Sequence, residues 1–312
     1  MTRPFRFGIQ AATAVNRSAW VELARRVENH GYATLTMPDH FSDQLAPVPA
    51  LMSAADATIE LRIGALVFDN DFRHPVTLAK DLATLDVLSD GRLEIGLGAG
   101  WQRTDYDQSG IGYDPPGVRI DRMVEGLTVM RGLFGEGPFS IEGRHYQLNG
   151  IEGWPKPIQA PCPPVLLGGG GRRMLTVAGQ LADIVGVNGT LTSGTTDLST
   201  FESMTAGSVD AKVGYVVDAA TAAGRLDEIE RNVRVFFVSV TNSRDEVIAG
   251  LSAFTGMPVA EIEASPFVLV GSVAKIAEDL IERRERWGFS YVIVGAEQVD
   301  EFAPVVTALA MR

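Results

Sequence analysis

A chain of 312 residues, 46% hydrophobic and 21% charged, has ordinary globular composition and enough length to bury a large core without disulfide staples. Its 39 acidic against 27 basic residues, a net charge of −12, argue against nucleic acid and anionic membrane surfaces as partners, because phosphate neutralisation needs clustered Lys and Arg. One cysteine, Cys162, excludes an intrachain disulfide and a two-cysteine metal site, and in its Pro-flanked loop it reads as a small apolar filler before a strand.

Met1 to Ile9 contains no apolar leader core and no small-residue cleavage site, and no stretch approaches the ~18–20 apolar residues that span a bilayer, so a cytoplasmic protein is expected. Phe5 to Gln10 is a short apolar run ending at a polar residue. A helix follows over Trp20 to His30, with Trp20, Leu23, Ala24 and Val27 at helical spacing and Gly31 placed as a terminator. Ala33 to Met37 reads as a strand stopping at Pro38-Asp39-His40, and a weaker helix covers 50–58. Leu61 to Phe68 has the composition of a buried strand and leads into the polar loop Asp69-Asn70-Asp71.

Pro75 opens the next helix, at the position where its missing N–H is harmless, and Leu78, Leu82, Leu85 and Leu88 give it an apolar face. Ser89-Asp90-Gly91 then turns the chain into the strand Leu93 to Leu97. This strand, loop, helix, turn rhythm is that of parallel βα units. It loosens over a long helix, Gly117 to Phe134, and a hairpin, Phe139 to Leu148, so that 135–162 reads as an insertion.

The rhythm resumes with strand Val165 to Leu167, the turn Gly168 to Gly171, a helix over Met174 to Leu181 and strand Asp183 to Val187. Residues 190–208, rich in Thr, Ser and Gly, form a loop or second insertion. A helix over 210–224, strand Val233 to Val240, helices Arg244 to Thr255 and Val273 to Trp287, strand Tyr291 to Val294 and a last helix from Asp300 complete the chain. Strand candidates in this order predict an α/β chain folded as one (β/α)8 TIM barrel over 1–312, with the two insertions.

In such a barrel, residues just after each strand line the reactive mouth. The candidates are Gln10, Asp39, His40, Phe68 to Asp71, Gly98 to Trp101, Gly168 to Arg173, Asn188, Thr241 and Gly295 to Gln298. Gly96, Gly98 and Gly100 follow a strand, yet the third glycine is misplaced for a dinucleotide fingerprint and the turn is not the first. Gly169, Gly170 and Gly171 before Arg172-Arg173 suit either an anion at a helix N-terminus or a flexible turn with solvated arginines. Of the four histidines, His40 alone directly follows a strand beside an acid, where an imidazole transfers a proton or packs under a ligand. Metal-protease, serine-hydrolase and Walker A motifs are absent, so no metal is expected.

Pro38-Asp39-His40-Phe41, Phe72-Arg73-His74-Pro75, and Leu88-Ser89-Asp90-Gly91-Arg92-Leu93 running into Gly96-Leu97-Gly98-Ala99-Gly100-Trp101 resemble the bacterial luciferase-like monooxygenase superfamily. Leu269-Val270-Gly271-Ser272 with the following helix and strand matches the end of that family, so the resemblance covers nearly the whole chain. Within it the chain is similar to the branch that uses coenzyme F420, a deazaflavin; FMN-using members share the fold and many of these motifs.

The resemblance implies Asp39 near the tricyclic ring, a non-proline cis peptide at Leu66-Val67 against that ring, and Ala99, Gly100, Gly170 and Gly171 along the cofactor's chain and phosphate. Asn70, Gly169 and Arg172 join the cofactor set. His40 matches a proton-transfer histidine of sugar-phosphate dehydrogenases in this family, but those enzymes carry a glutamate where this chain has Trp101. Trp101 is therefore assigned with Gln10 to the substrate pocket. The implied activity is hydride transfer between coenzyme F420 and an unidentified small organic substrate, with a homodimer as candidate assembly. An FMN-dependent monooxygenase with a partner reductase and a non-catalytic ligand-binding barrel stand as alternatives.

Overall fold

The computed structural model describes residues 3–191, 194–195 and 198–310. In chain order the strands are β1 (Arg6–Gln10), β2 (Thr34–Met37), β3 (Arg62–Ala65), β4 (Phe68–Asp69), β5 (Leu93–Gly98), β6 (Phe139–Glu142) and β7 (Gln147–Ile151). Then come β8 (Val165–Gly169), β9 (Ile184–Val187), β10 (Glu230–Arg234), β11 (Phe237–Val240), β12 (Val268–Gly271) and β13 (Phe289–Gly295). The first helices are α1 (Arg17–Asn29), α2 (Pro47–Ala57), α3 (Pro75–Leu88), α4 (Arg103–Ser109), α5 (Pro116–Phe134) and α6 (Arg172–Leu181). The remainder are α7 (Leu198–Glu202), α8 (Ala206–Ala222), α9 (Arg244–Thr255), α10 (Val259–Ala264), α11 (Val273–Trp287) and α12 (Ala303–Leu309).

Hydrogen-bonded neighbours follow the order β3-β2-β1-β13-β10-β9-β8-β5-β4, and β3 also pairs with β5, so the ladder closes. The β1–β13, β13–β10, β10–β9, β3–β5 and β4–β5 pairings are parallel. This is a (β/α)8 barrel; the predicted hairpin and the second half of the predicted strand Val233 to Val240 lie in two separate small sheets. Strands β2, β5, β9 and β13 are buried at every residue, as parallel strands covered on both faces must be.

The chain comprises two compact units: Met1–Ala11, Arg26–Leu35 and Leu167–Arg312 in the first, Ala12–Arg25 and Thr36–Leu166 in the second. In the first unit the predicted strand Val233 to Val240 is two strands with different partners. β10 stays beside β13, whereas β11 pairs with β12 in a separate parallel sheet. The change occurs where Val235 donates to Ile293 O at 2.8 Å and Phe236 to Phe267 O at 3.0 Å. An apolar run carries no mark of a change in partner, which is why the sequence reads it as continuous. Ile248, Ile262, Val268 and Val270 from α9, α10 and β12 form a small core there. Of the predicted insertion at 190–208, residues 192–193 and 196–197 lie outside the described residues; α7 falls within it.

In the second unit the predicted strand Leu61 to Phe68 is interrupted between β3 and β4, and the Leu66-Val67 peptide there is cis. Helix α3 starts at Pro75 as expected, but its buried face is Leu78, Ala79, Leu82, Ala83, Leu85 and Asp86, while Leu88 is 58% exposed. The predicted hairpin is present as antiparallel β6 and β7. Helix α4 has no counterpart in the sequence reading, because Arg103 to Ser109 carries no apolar period.

Candidate active site

In the second unit, the turn after β2 presents Asp39 and His40 in succession. Asp39 is 5% exposed, and its carboxylate accepts from Arg73 Nη1 and Nη2 at 2.5 and 3.1 Å and from the Asp69 backbone N–H at 3.1 Å. Asp39 thereby ties the segment after β4 to the end of β2, and its two oxygens are engaged by protein donors.

His40 is held differently. Its Nδ1 lies 2.6 Å from Asp105 Oδ2, on α4. The other oxygen of Asp105 accepts from the Phe41 N–H and Gln102 Nε2, each at 3.2 Å. Nδ1–H donates to the buried Asp105 carboxylate, which leaves Nε2 as the nitrogen able to exchange a proton. Nε2 has no hydrogen-bond partner among the described residues, and His40 remains partly open to solvent. The Trp101 ring meets the imidazole edge-on, 5.7 Å between centroids at 90°.

Next to this pair stands a buried acidic cluster. Asp69 Oδ1 accepts from the Asp71 N–H at 2.9 Å and Oδ2 from Tyr106 Oη at 3.0 Å. Burial, reinforced by the charges of Asp71 and Asp39, pushes the Asp69 carboxyl up to about 7. Burial together with Asp69 and Asp71 holds the Tyr106 phenol well above the tyrosine range. Asp71 is answered by Arg122 at 2.9 Å, and Arg122 also pairs with Asp114.

Arg119 Nη1 donates to the carbonyls of Ala99 at 3.2 Å and Gly100 at 2.5 Å, pinning the turn after β5. Gly100 has φ +71, and a Cβ there would stand 1.8 Å from Tyr106 Oη, so that glycine is required twice over. Leu66 and Val67 are half-buried, between fully buried Ile63 to Ala65 and Phe68 to Asn70. This leaves two apolar side chains available to a flat ring. Asn70 is 1% exposed; its Nδ2 donates to Tyr146 Oη at 3.1 Å, and its Oδ1 lies against Gly126 with no hydrogen-bond partner.

In the first unit, β8 runs into Gly169, and Gly171 caps α6 with no side-chain hydrogen bond. A Cβ on Gly170 would meet Gly189 O at 2.2 Å; one on Gly171 would meet nothing within 4 Å. Arg172 is exposed, its guanidinium 5.3 Å from the Tyr215 ring centre. A helix N-terminus behind a bare glycine cradle fits an anionic group. Gln10, at the end of β1, accepts from Arg234 Nε at 2.9 Å, and burial lowers the Arg234 guanidinium to about 10.

The structure thus joins His40 to Trp101, and Asp39 to the Asp69 segment, within one unit. Gly169 to Arg172 and Gln10 belong to the other unit, where Gln10 meets Arg234 and the glycine turn meets Gly189. Sequence reasoning missed Asp105, Tyr106, Arg119, Arg122 and Arg234. Asp105 sits 65 residues from His40 in a short polar helix, so no local pattern could announce it. No cluster of metal-ligating side chains and no helix long and apolar enough to cross a membrane occurs among the described residues.

A family model described as luciferase-like monooxygenase matches residues 2–291. An uncharacterised protein of Mycobacterium tuberculosis is 32% identical over 171 residues, covering 47% of this chain and 59% of its own length. The FMNH2-dependent dimethylsulfone monooxygenase of Pseudomonas putida is 28% identical over 138 residues, 44% of this chain and 38% of that enzyme. The chain therefore spans about half the length of the curated relatives it matches. Among solved structures, an F420-dependent secondary alcohol dehydrogenase in complex with an F420-acetone adduct superposes with a TM-score of 0.79 at 19% identity, covering 98% of this chain and 99% of that one.

Proposed function

The chain belongs to the luciferase-like monooxygenase family, and from that premise we propose that it is a coenzyme F420-dependent oxidoreductase acting on a small organic substrate. The observation that carries this reading is His40, clamped at Nδ1 by Asp105 at 2.6 Å with Nε2 unengaged by described residues. When bound, the deazaflavin supplies or accepts a hydride at its ring carbon and does not readily activate oxygen. Interconverting an alcohol and a carbonyl also moves a proton at the substrate oxygen. His40 Nε2 takes or returns that proton, while Asp105 keeps the ring oriented and balances the imidazolium that forms. Trp101, edge-on to His40, walls the substrate.

The half-buried Leu66 and Val67 support a ring-binding surface, and the glycine-led N-terminus of α6 with the exposed Arg172 supports an anion-receiving turn. The 28% identity to an FMNH2-dependent monooxygenase favours a second reading, in which reduced FMN from a partner reductase is the cofactor.

Titration of the purified protein with coenzyme F420 and with FMN, separately, followed by absorbance and fluorescence, decides between them. Saturable binding of F420 at micromolar concentrations with no comparable FMN binding is expected. Tight FMN binding alone would replace the first reading by the second, and binding of neither would favour a barrel without redox turnover.

A further inference from the structure

Helix α11 buries Ile276, Leu280, Arg283 and Trp287, a helical stripe in which an arginine takes a core-facing position. Arg283 is 7% exposed, forms no ion pair or hydrogen bond with any described residue, and its Nη1 is sealed from solvent without an acceptor. Arg283 lines a cleft of about 450 Å³ together with Arg244, Lys275, Arg286, Glu263 and Asp279, open in part to solvent.

The other cations of this cleft have carboxylate partners. Arg244 pairs with Glu263, Lys275 lies 2.9 Å from Asp279, and Arg286 lies 2.7 Å from Asp210. Arg283 is the remainder, although Asp279 and the exposed Glu282 lend it some favourable field. Burial above all, with the charge of Arg244 adding to it, lowers its guanidinium to about 10. Arg244 adds a second orphan: its Nε is buried and unpaired.

Two guanidinium groups, one from the first turn of α9 and one from the buried stripe of α11, thus line one cleft, and each keeps one nitrogen without an acceptor. An unpaired buried charge is strongly unfavourable, and the like charge of Arg244 adds to the cost at Arg283. A carboxylate presents its oxygens in one plane and suits a single guanidinium fork. A tetrahedral oxyanion presents acceptors in several directions and can serve both. We propose that the cleft formed by α9, α10 and α11 is a binding site for a tetrahedral oxyanion, inorganic phosphate or the phosphate group of a small metabolite, with Arg283 and Arg244 as its ligands.

The full chain is titrated calorimetrically with inorganic phosphate in a chloride background of matched ionic strength, as wild type, as Arg283→Met, and as Arg172→Glu with Arg173→Glu. The last variant removes phosphate held at the glycine turn of α6. Saturable binding that persists in the Arg172/Arg173 variant and weakens at least tenfold in Arg283→Met is expected. Without phosphate, Arg283→Met should melt no lower than wild type, since an apolar side chain replaces an unpaired buried charge. Absence of saturable binding in wild type, or equal binding in wild type and Arg283→Met, overturns the proposal. Should Arg283→Met fold poorly, Arg244→Met takes its place in the same titration, with the same tenfold loss expected and unchanged binding overturning the proposal. Glycerol phosphate as a second probe separates the sources: tighter binding than inorganic phosphate indicates a phosphorylated metabolite.

Discussion

Asp69 offers a test that needs no substrate. Its carboxyl is 7% exposed and is raised from 3.8 to about 7, first by burial and then by Asp71 and Asp39. A carboxyl raised on folding binds its proton more tightly in the native state, so its contribution to stability is full below the unfolded value and is lost as pH climbs through the folded one. The window here is about pH 4 to about pH 7, and the full displacement corresponds to up to about 4 kcal/mol at 1.36 kcal/mol per pH unit. Asp69→Asn fixes a neutral side chain of the same shape. The variant should gain on wild type steadily between about pH 4 and about pH 7 and hold a constant lead above about pH 8. For a chain of this size the gain corresponds to about 6–10 °C in melting temperature by pH 8.5. Differential scanning fluorimetry of both proteins from pH 4.5 to 9 measures the difference curve, and other titrating groups largely cancel in it. A difference that stays flat, or that favours wild type at high pH, would refute the claim that Asp69 is protonated near neutrality.

Asp105→Asn removes the charged acceptor that orients His40 and should slow single-turnover hydride transfer about 10²–10³-fold while the dissociation constant for F420 changes less than twofold. Equal losses in rate and affinity would assign Asp105 to the fold instead. Gly100→Ala places a Cβ 1.8 Å from Tyr106 Oη at a φ of +71 and should destabilise by at least about 2 kcal/mol in thermal melts; a wild-type melting temperature would show that the turn relaxes freely. Arg172→Glu with Arg173→Glu should weaken cofactor binding at least tenfold and flatten its salt dependence, as measured by fluorescence titration at 50 and 300 mM salt. Unchanged affinity would remove those arginines from the site while leaving the glycines in it.

By itself the sequence determined the barrel. Alternation of apolar strand runs with helical faces is a local signal, and its order along the chain leaves few topologies. It also determined where the chain turns: Pro75 opens α3, and the glycines at 168–171 precede α6. His40 was legible because a histidine directly after a strand is a position as well as a residue type. What only the tertiary structure decided concerns partners. Leu88 fits the apolar period of α3 but lies at its solvent-facing end, and the run Val233 to Val240 divides between two sheets. Asp105 is an unremarkable acid in a polar heptapeptide until folding sets it 2.6 Å from His40, and Arg283 is one arginine among several on α11 until packing leaves it buried without an acceptor. Periodicity is a property of neighbours in sequence, whereas desolvation and hydrogen bonding depend on atoms brought together from dozens of residues away; the chemistry of Asp69, His40 and Arg283 therefore exists only in the folded chain.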